Sequence, residues 1–389
     1  MNAIKNKINS LIIFNFGYIF LIVSDMCKQV DLVRTYNKYI SFFGYLFIAI
    51  YLLINAKKFL KMNKKHLLLI ILGCLLLLVG FYFSRNFTII RVILLCLSIM
   101  TMTFDKFVKY DVIYKVIIMT SLIVTSLFGI TDNKVIYRSD LTKRYSLGFT
   151  HPNVLSMYLM MMIFEVSYLV LKNREHINKI TRDIMLLLIP VAIIFTDYVT
   201  DSKTTMIILS VFYLFVIAYL FLYKYLKKFL DNKLIKNILI RMFFFASLAV
   251  VGTLIIAYTH PKYISIFDKI FSSRFSFYMV FLNKLHFNGL GMVIPDSINS
   301  AVLDNMYIKL FLNGGVIFWV TYYLLFRFSS SKTYKTDNYL ILAIIVILCF
   351  VGMVETNILM PTLNIFMLYG LSNYFEEHNR KEQKNERSN

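Results

Sequence analysis

The sequence predicts an all-α polytopic membrane protein, and three observations carry that prediction. Of 389 residues, 59% are hydrophobic and only 16% are charged, against roughly a quarter charged in ordinary soluble domains; the mean hydropathy is +0.68. The apolar residues come in long runs rather than in two-residue alternation, so helices rather than barrel strands satisfy the backbone inside a bilayer. The 42 Lys and Arg against 21 Asp and Glu give a formal charge of +21, and they sort by loop as topology requires. Disorder is excluded, because low hydrophobicity is its signature. Four Cys, three of them (Cys74, Cys96, Cys349) inside apolar runs, cannot form a disulfide framework.

About 12 transmembrane helices (range 11–13) are expected, near 8–24, 39–56, 67–83, 87–104, 110–130, 153–171, 184–199, 205–223, 242–259, 305–326, 338–354 and 359–375. They form a single transmembrane domain over 1–375, with one large external loop, 260–304, between helices 9 and 10. A charged cytoplasmic tail follows, 376–389. Lys5 and Lys7 precede the first run, but no small-residue cleavage site follows it, so it reads as a retained helix and not a signal peptide. With the N-terminus inside, 26 of the 42 basic residues fall on inside segments and 13 on outside ones; Arg91, Lys115 and Lys309 lie within spans. That bias is the positive-inside rule, and it puts both termini in the cytoplasm. The weakest span, 184–199, contains Pro190. Without it the basic loop 224–241 would lie outside, so the charge pattern retains it.

Most outside loops are tight, but 131–152 and 260–304 are long, and long loops in compact proteins are commonly functional. Ile264–Phe271 and Phe275–Leu285 are short apolar stretches that suggest interfacial helices. No sequence repeat relates the two halves, which disfavours transporters built by duplication. There is no nucleotide loop, no dinucleotide fingerprint and no Cys/His pair at metal spacing, so no cofactor and no metal are expected. The inside charge fits contact with anionic membrane lipids and not nucleic acid.

The polar residues that can carry chemistry gather on the external face. Arg138, Lys143 and Arg144 lead into Leu147-Gly148-Phe149-Thr150-His151-Pro152-Asn153. Thr150 or His151 caps the sixth span, Pro152 suits its first turn, and the free N–H groups there attract anions. The turn Thr200-Asp201-Ser202-Lys203-Thr204 places Lys203 either in an ion pair with Asp or beside an anion. In the long loop, Ser273-Arg274 precedes Phe287-Asn288-Gly289-Leu290-Gly291. Arg suits a bidentate grip on phosphate, and the Gly pair allows close backbone approach. Asp304-Asn305 opens the tenth span, followed by Gly314-Gly315; Asp304 is either an N-cap or a general base. Three His are external: His151, His260 and His286. Glu165 lies about halfway along the sixth span, a functional candidate by position. Arg91 either snorkels from the outer end of the fourth span or faces the same cavity, and Lys115 reads as snorkelling.

These four patterns, in order and on one face, make the chain resemble the repeat-unit polymerases of O-antigen and capsular polysaccharide synthesis (Wzy type), within the polymerase/O-antigen ligase superfamily. Leu147–Asn153 is similar to that family's Gly-x-x-His-Pro-Asn helix start, and Thr200–Thr204 to its Thr-x-Ser-Arg segment. Lys203 stands where Arg is usual, and Asp304 where ligase relatives carry His. The resemblance implies a GT-C-like membrane glycosyltransferase fold in the bacterial cytoplasmic (inner) membrane. It also implies an inverting, metal-independent enzyme polymerising undecaprenyl-diphosphate-linked oligosaccharides into capsular, O-antigen or exopolysaccharide chains. A chain-length regulator and a flippase of the same pathway are the implied partners. Arg274, Arg144 and Lys203, with Arg138 and Arg91, would hold diphosphate with help from His151, and Asp304 or His286 would be the base. Gly148, Pro152, Asn153, Gly289, Gly291 and Asn305 would shape the loops. A ligase-type glycan transferase and a polysaccharide flippase or transporter are the alternatives.

Overall fold

The computed structural model describes residues 2–138, 141–173, 176–271, 274–285, 289–295, 297–299 and 301–375. His286, Ser273, Asn288 and the expected tail 376–389 lie outside the described residues. Among the described residues the regular structure is helical apart from one hairpin and an isolated bridge between Ile298 and Ala301. Its helices in chain order are α1 (Asn2–Cys27), α2 (Asn37–Ile54), α3 (Ala56–Leu60), α4 (Lys64–Ser84), α5 (Phe87–Ile99), α6 (Phe104–Leu127), α7 (Pro152–Leu171) and α8 (Lys179–Thr200). Then follow α9 (Lys203–Phe221), α10 (Tyr223–Leu230), α11 (Lys233–Ile240), α12 (Met242–Thr259), α13 (Ile264–Phe271), α14 (Arg274–Lys284), α15 (Met306–Lys335) and α16 (Tyr339–Val351). Between α6 and α7, β1 (Val135–Tyr137) pairs antiparallel with β2 (Lys143–Tyr145), Ile136 opposite Arg144.

Among the described residues, eight helical stretches are long and apolar enough to cross a membrane: Ser10–Cys27, Asp31–Ile54, α4, α7, α8, α9, α12 and α15. Three more expected spans fall on helices that miss that standard. α5 and α16 have 13 residues each. α6 is long enough at 24 residues but carries Asp105, Lys106, Lys109, Asp111 and Lys115.

The twelfth expected span is not an α-helix. Residues 359–375 contain Pro361, Asn364 and Gly370, and the chain there makes a 3-10 segment, Ile365–Leu371. Ser329 Oγ of α15 donates to Met367 O at 2.7 Å and accepts from Gly370 N–H at 2.8 Å, so α15 supplies bonds that a regular helix would make internally. The two short helices expected in the long loop are present as α13 and α14.

The chain divides into two compact units. Unit 1 comprises Met1–Met62, Cys96–Tyr223 and Ser372–Asn389; unit 2 comprises Asn63–Leu95 and Lys224–Leu371. In unit 1, α7 is central: 67% of its apolar window is buried, where a lipid-facing helix would leave most of its surface open. Phe164 of α7 packs on Phe212 of α9, ring centroids 4.6 Å apart. In unit 2, α15 breaks at Gly315, whose φ of 66° and ψ of −169° are non-helical. Trp319 Nε1–H below the break donates to Ser247 Oγ of α12 at 3.0 Å, and Phe243 packs on Tyr307 and Phe326.

Candidate functional site

The residues singled out in the sequence form one polar cluster in each unit and a third group inside unit 1. In unit 1 the β1–β2 hairpin turns into α7 through Leu147 (φ 43°) and Gly148 (φ 93°). Gly148 is required there, since a Cβ would stand 3.0 Å from Leu122 O and 3.1 Å from Thr131 Oγ1. His151 takes the N-cap: its backbone is extended and its Nδ1 accepts from Asn153 N–H at 3.1 Å, with Pro152 in the first turn. The cap is therefore His151 and not Thr150, whose N–H donates to Gln29 O at 2.7 Å.

Arg144 is buried; its Nε donates to Thr200 O at 2.7 Å, and its Nη2 to Asn153 Oδ1. Arg138 ion-pairs with the Asp201 carboxylate and donates to Asp201 O. Asp201 sits at φ 41° at the end of α8. Both arginines thus fasten the α8–α9 turn to the hairpin and to the start of α7. Of the two readings of Lys203, an ion pair with Asp201 is not formed, because Arg138 takes that carboxylate. Lys203 starts α9 exposed, and among the described residues it has no hydrogen-bond or ion-pair partner.

In unit 2 the N-termini of α14 and α15 meet the end of α16. Asn305, not Asp304, is the N-cap of α15: its Oδ1 accepts from Ile308 N–H at 3.1 Å, and its Nδ2 donates to Met353 O at 2.8 Å. That leaves the Asp304 carboxylate beside Arg274, the first residue of α14, with 3.9 Å from Nε to Oδ2. Arg274 Nη2 donates to Glu355 Oε1 at 3.2 Å, and Tyr278 OH donates to Asp304 O at 3.1 Å. Burial pushes the Asp304 carboxyl above the usual Asp range, and the Arg274 charge offsets part of that rise. Burial likewise raises the Tyr278 phenol, which stays a neutral donor.

The Gly289-x-Gly291 loop docks on the break in α15. Val316 N–H donates to Gly289 O at 2.9 Å, and Met292 N–H to Leu312 O at 3.0 Å. A Cβ on Gly291 would lie 2.3 Å from Asn313 O, and one on Gly315 would lie 2.3 Å from Gly289 O. Gly291 is therefore spent on backbone approach to α15, whereas a Cβ on Gly289 would meet nothing and its φ of 72° is what favours glycine there.

Glu165 has partners that its position alone does not name. Lys115 is closed to solvent and bonded to both Asp111 and Glu165. It does not snorkel, because two carboxylates hold its ammonium in the interior. Arg91 is buried in α5, so it does not reach out to solvent either. Glu355 is the residue the sequence reading missed; its signal was a lone acidic side chain between the expected spans 338–354 and 359–375.

Searches against protein families, curated proteins and solved structures return no match to this chain.

Proposed function

We propose that the chain is a membrane glycosyltransferase that polymerises undecaprenyl-diphosphate-linked oligosaccharide repeat units at the outer face of the bacterial cytoplasmic membrane. On this reading both termini are cytoplasmic, and the helices belong to a fold of the GT-C kind. The observation that carries it is the Arg274–Asp304–Glu355 group at the helix starts of unit 2. Asp304 keeps 35% of its side-chain surface exposed, and its proton affinity is raised. A carboxylate that is both accessible and more basic than usual suits a general base.

In the reaction, a sugar hydroxyl of the incoming unit attacks the anomeric carbon of the growing chain. The new C–O bond forms as the bond to diphosphate breaks, the electron pair leaves on the diphosphate, and the hydroxyl proton passes to Asp304. Arg274 has its Nε and Nη2 engaged with the two carboxylates, while its Nη1 has no partner among the described residues. It positions Asp304 and offers Nη1 to a phosphate oxygen, where fixed positive charge stabilises the leaving group. In unit 1, Lys203 is the cation open to phosphate, and Arg138, Arg144 and His151 hold the turn and helix start around it.

The test is purified protein in vesicles with lipid-linked repeat units, products sized on a gel. Wild type lengthens chains; Asp304→Asn and Arg274→Ala insert normally and give none. Chains that lengthen normally in Asp304→Asn would exclude this residue as the base. A second reading, a glycan flippase or transporter, draws on one observation: Asp111, Lys115 and Glu165 are ionisable groups deep among the helices of unit 1, as a membrane path requires. Movement of the lipid-linked unit across the vesicle without a new glycosidic bond would favour it.

A further inference from the structure

Asp111 and Lys115 stand one turn apart on α6, Tyr18 comes from α1, and Glu165 from α7; all four are closed to solvent. Lys115 Nζ donates to Asp111 Oδ2 at 2.6 Å and to Glu165 Oε1 at 2.5 Å. Tyr18 OH donates to Asp111 Oδ1 at 2.7 Å. Each oxygen of Asp111 therefore accepts a donor. Glu165 Oε2 is buried and has none.

Two ionised carboxylates and one ammonium leave one negative charge in the interior of a membrane protein. An uncompensated buried charge is costly enough that a group takes up a proton instead. Asp111, with donors on both oxygens, is the better-served anion, and Glu165 Oε2 is the oxygen that lacks a hydrogen. A metal cation does not fit this place, because the Lys115 ammonium already stands between the two carboxylates. The groups facing Glu165 are Asp111 and Lys115 from α6, with the Tyr18 phenol facing the cluster from α1. On its α9 side the packing is aromatic, Phe164 against Phe212.

We infer that Tyr18, Asp111, Lys115 and Glu165 form a proton-binding site inside unit 1, its ligand a single proton carried on Glu165 Oε2. With the proton bound, the cluster is neutral and joins α1, α6 and α7. When the proton leaves for water, the Glu165 carboxylate keeps the electron pair and the three helices share a net negative charge. The site rests on neither reading of the function, and none of its residues belongs to the unit 2 group.

Infrared spectroscopy of the full chain in lipid nanodiscs at neutral pH tests the site by the carbonyl stretch of a protonated carboxylic acid. Wild type shows the band. Glu165→Gln abolishes it. Asp111→Asn abolishes it too, because Lys115 then meets one carboxylate and the cluster is neutral without a proton. In wild-type protein, which needs no variant to fold, 13C-glutamate shifts the band and 13C-aspartate does not. A wild-type spectrum without the band overturns the proposal. So does a band that persists in Glu165→Gln, or one that moves with labelled aspartate.

Discussion

Lys115 with Asp111 and Glu165, and Arg274 with Asp304 and Glu355, are both made of two carboxylates around one cation, and they differ in access and in spacing. The first group is 0% exposed throughout and holds its contacts at 2.6 and 2.5 Å. In the second, Arg274 keeps 14% of its surface open, Asp304 35% and Glu355 9%, and the contacts lengthen to 3.9 and 3.2 Å. The same charges therefore serve different ends. Closed and short, they bind each other and must settle their net charge internally. Half-open and long, they leave a basic carboxylate and an unused guanidinium N–H for something else to meet.

The largest expected effect comes from removing the cation on each side of this comparison. Lys115→Met leaves the Asp111 carboxylate without its counter-ion in the interior and should cost about 3–5 kcal/mol of stability. Restoring neutrality in Lys115→Met/Asp111→Asn should recover most of it. Arg274→Met leaves Asp304 open to water but Glu355, 9% exposed, without its donor, and should cost less, about 1–3 kcal/mol. Unfolding of the purified protein in detergent micelles measures all three. If Arg274→Met proves as damaging as Lys115→Met, access is not what separates the two groups.

The second effect is on pH and concerns Asp304 alone. Its carboxyl is raised mainly by burial, so ionising it costs stability. The protonated form's advantage is present at low pH and is lost as pH rises through the raised folded value. Asp304→Asn should then be more stable than wild type at neutral pH, and the gap should close in acid. A general base must be ionised, so chain extension should fall on acidification at a pH above the ordinary Asp value of 3.8. An acid limb at or below that value would show that the partial opening of unit 2 leaves Asp304 as an ordinary carboxylate.

Much of this contrast was legible before the structure, though unevenly. Glu165 announced itself as an ionisable side chain halfway along an apolar run. Asp111 and Lys115 also stood at i, i+4 spacing in the sequence, but which face of α6 they occupy depends on α1 and α7, 93 and 50 residues away. Lys115 therefore read as snorkelling. Gly289, Gly291 and Gly315 were each visible as points of backbone freedom, while their mutual docking is a tertiary fact. The β1–β2 hairpin escaped notice because strands of three residues carry too little periodicity to detect. Residues 359–375 read as a span because they are apolar; Pro361, Asn364 and Gly370 were the breakers, and the bonds from Ser329 were not visible. At the candidate site, Arg274 and Asp304 were named, and Glu355, which completes the group, was not. An acidic residue after a helix end reads as solvated until the fold shows what it meets.

The smallest expected effect sets the zero of the comparison. Lys227 and Asp337 pair at 3.0 Å with 39% and 56% of their side chains exposed. The hydrogen bond from Lys227 holds the Asp337 carboxyl below its ordinary value. The sign is therefore opposite to that of Asp304: the pair's contribution is present above the unfolded value and is lost as pH falls through the lowered folded one. Water screens this pair, so Asp337→Asn should cost under about 1 kcal/mol at neutral pH and nothing in acid. Added salt should erase it. Placed with Lys115 and Arg274, it extends one series of carboxylate–cation contacts from closed to half-open to exposed, and the loss of unfolding free energy in the three variants should fall in that order. A Lys227–Asp337 effect equal to that of Arg274 would place the unit 2 group with ordinary surface pairs. Its claim to chemistry would then rest on the pH response of Asp304 alone.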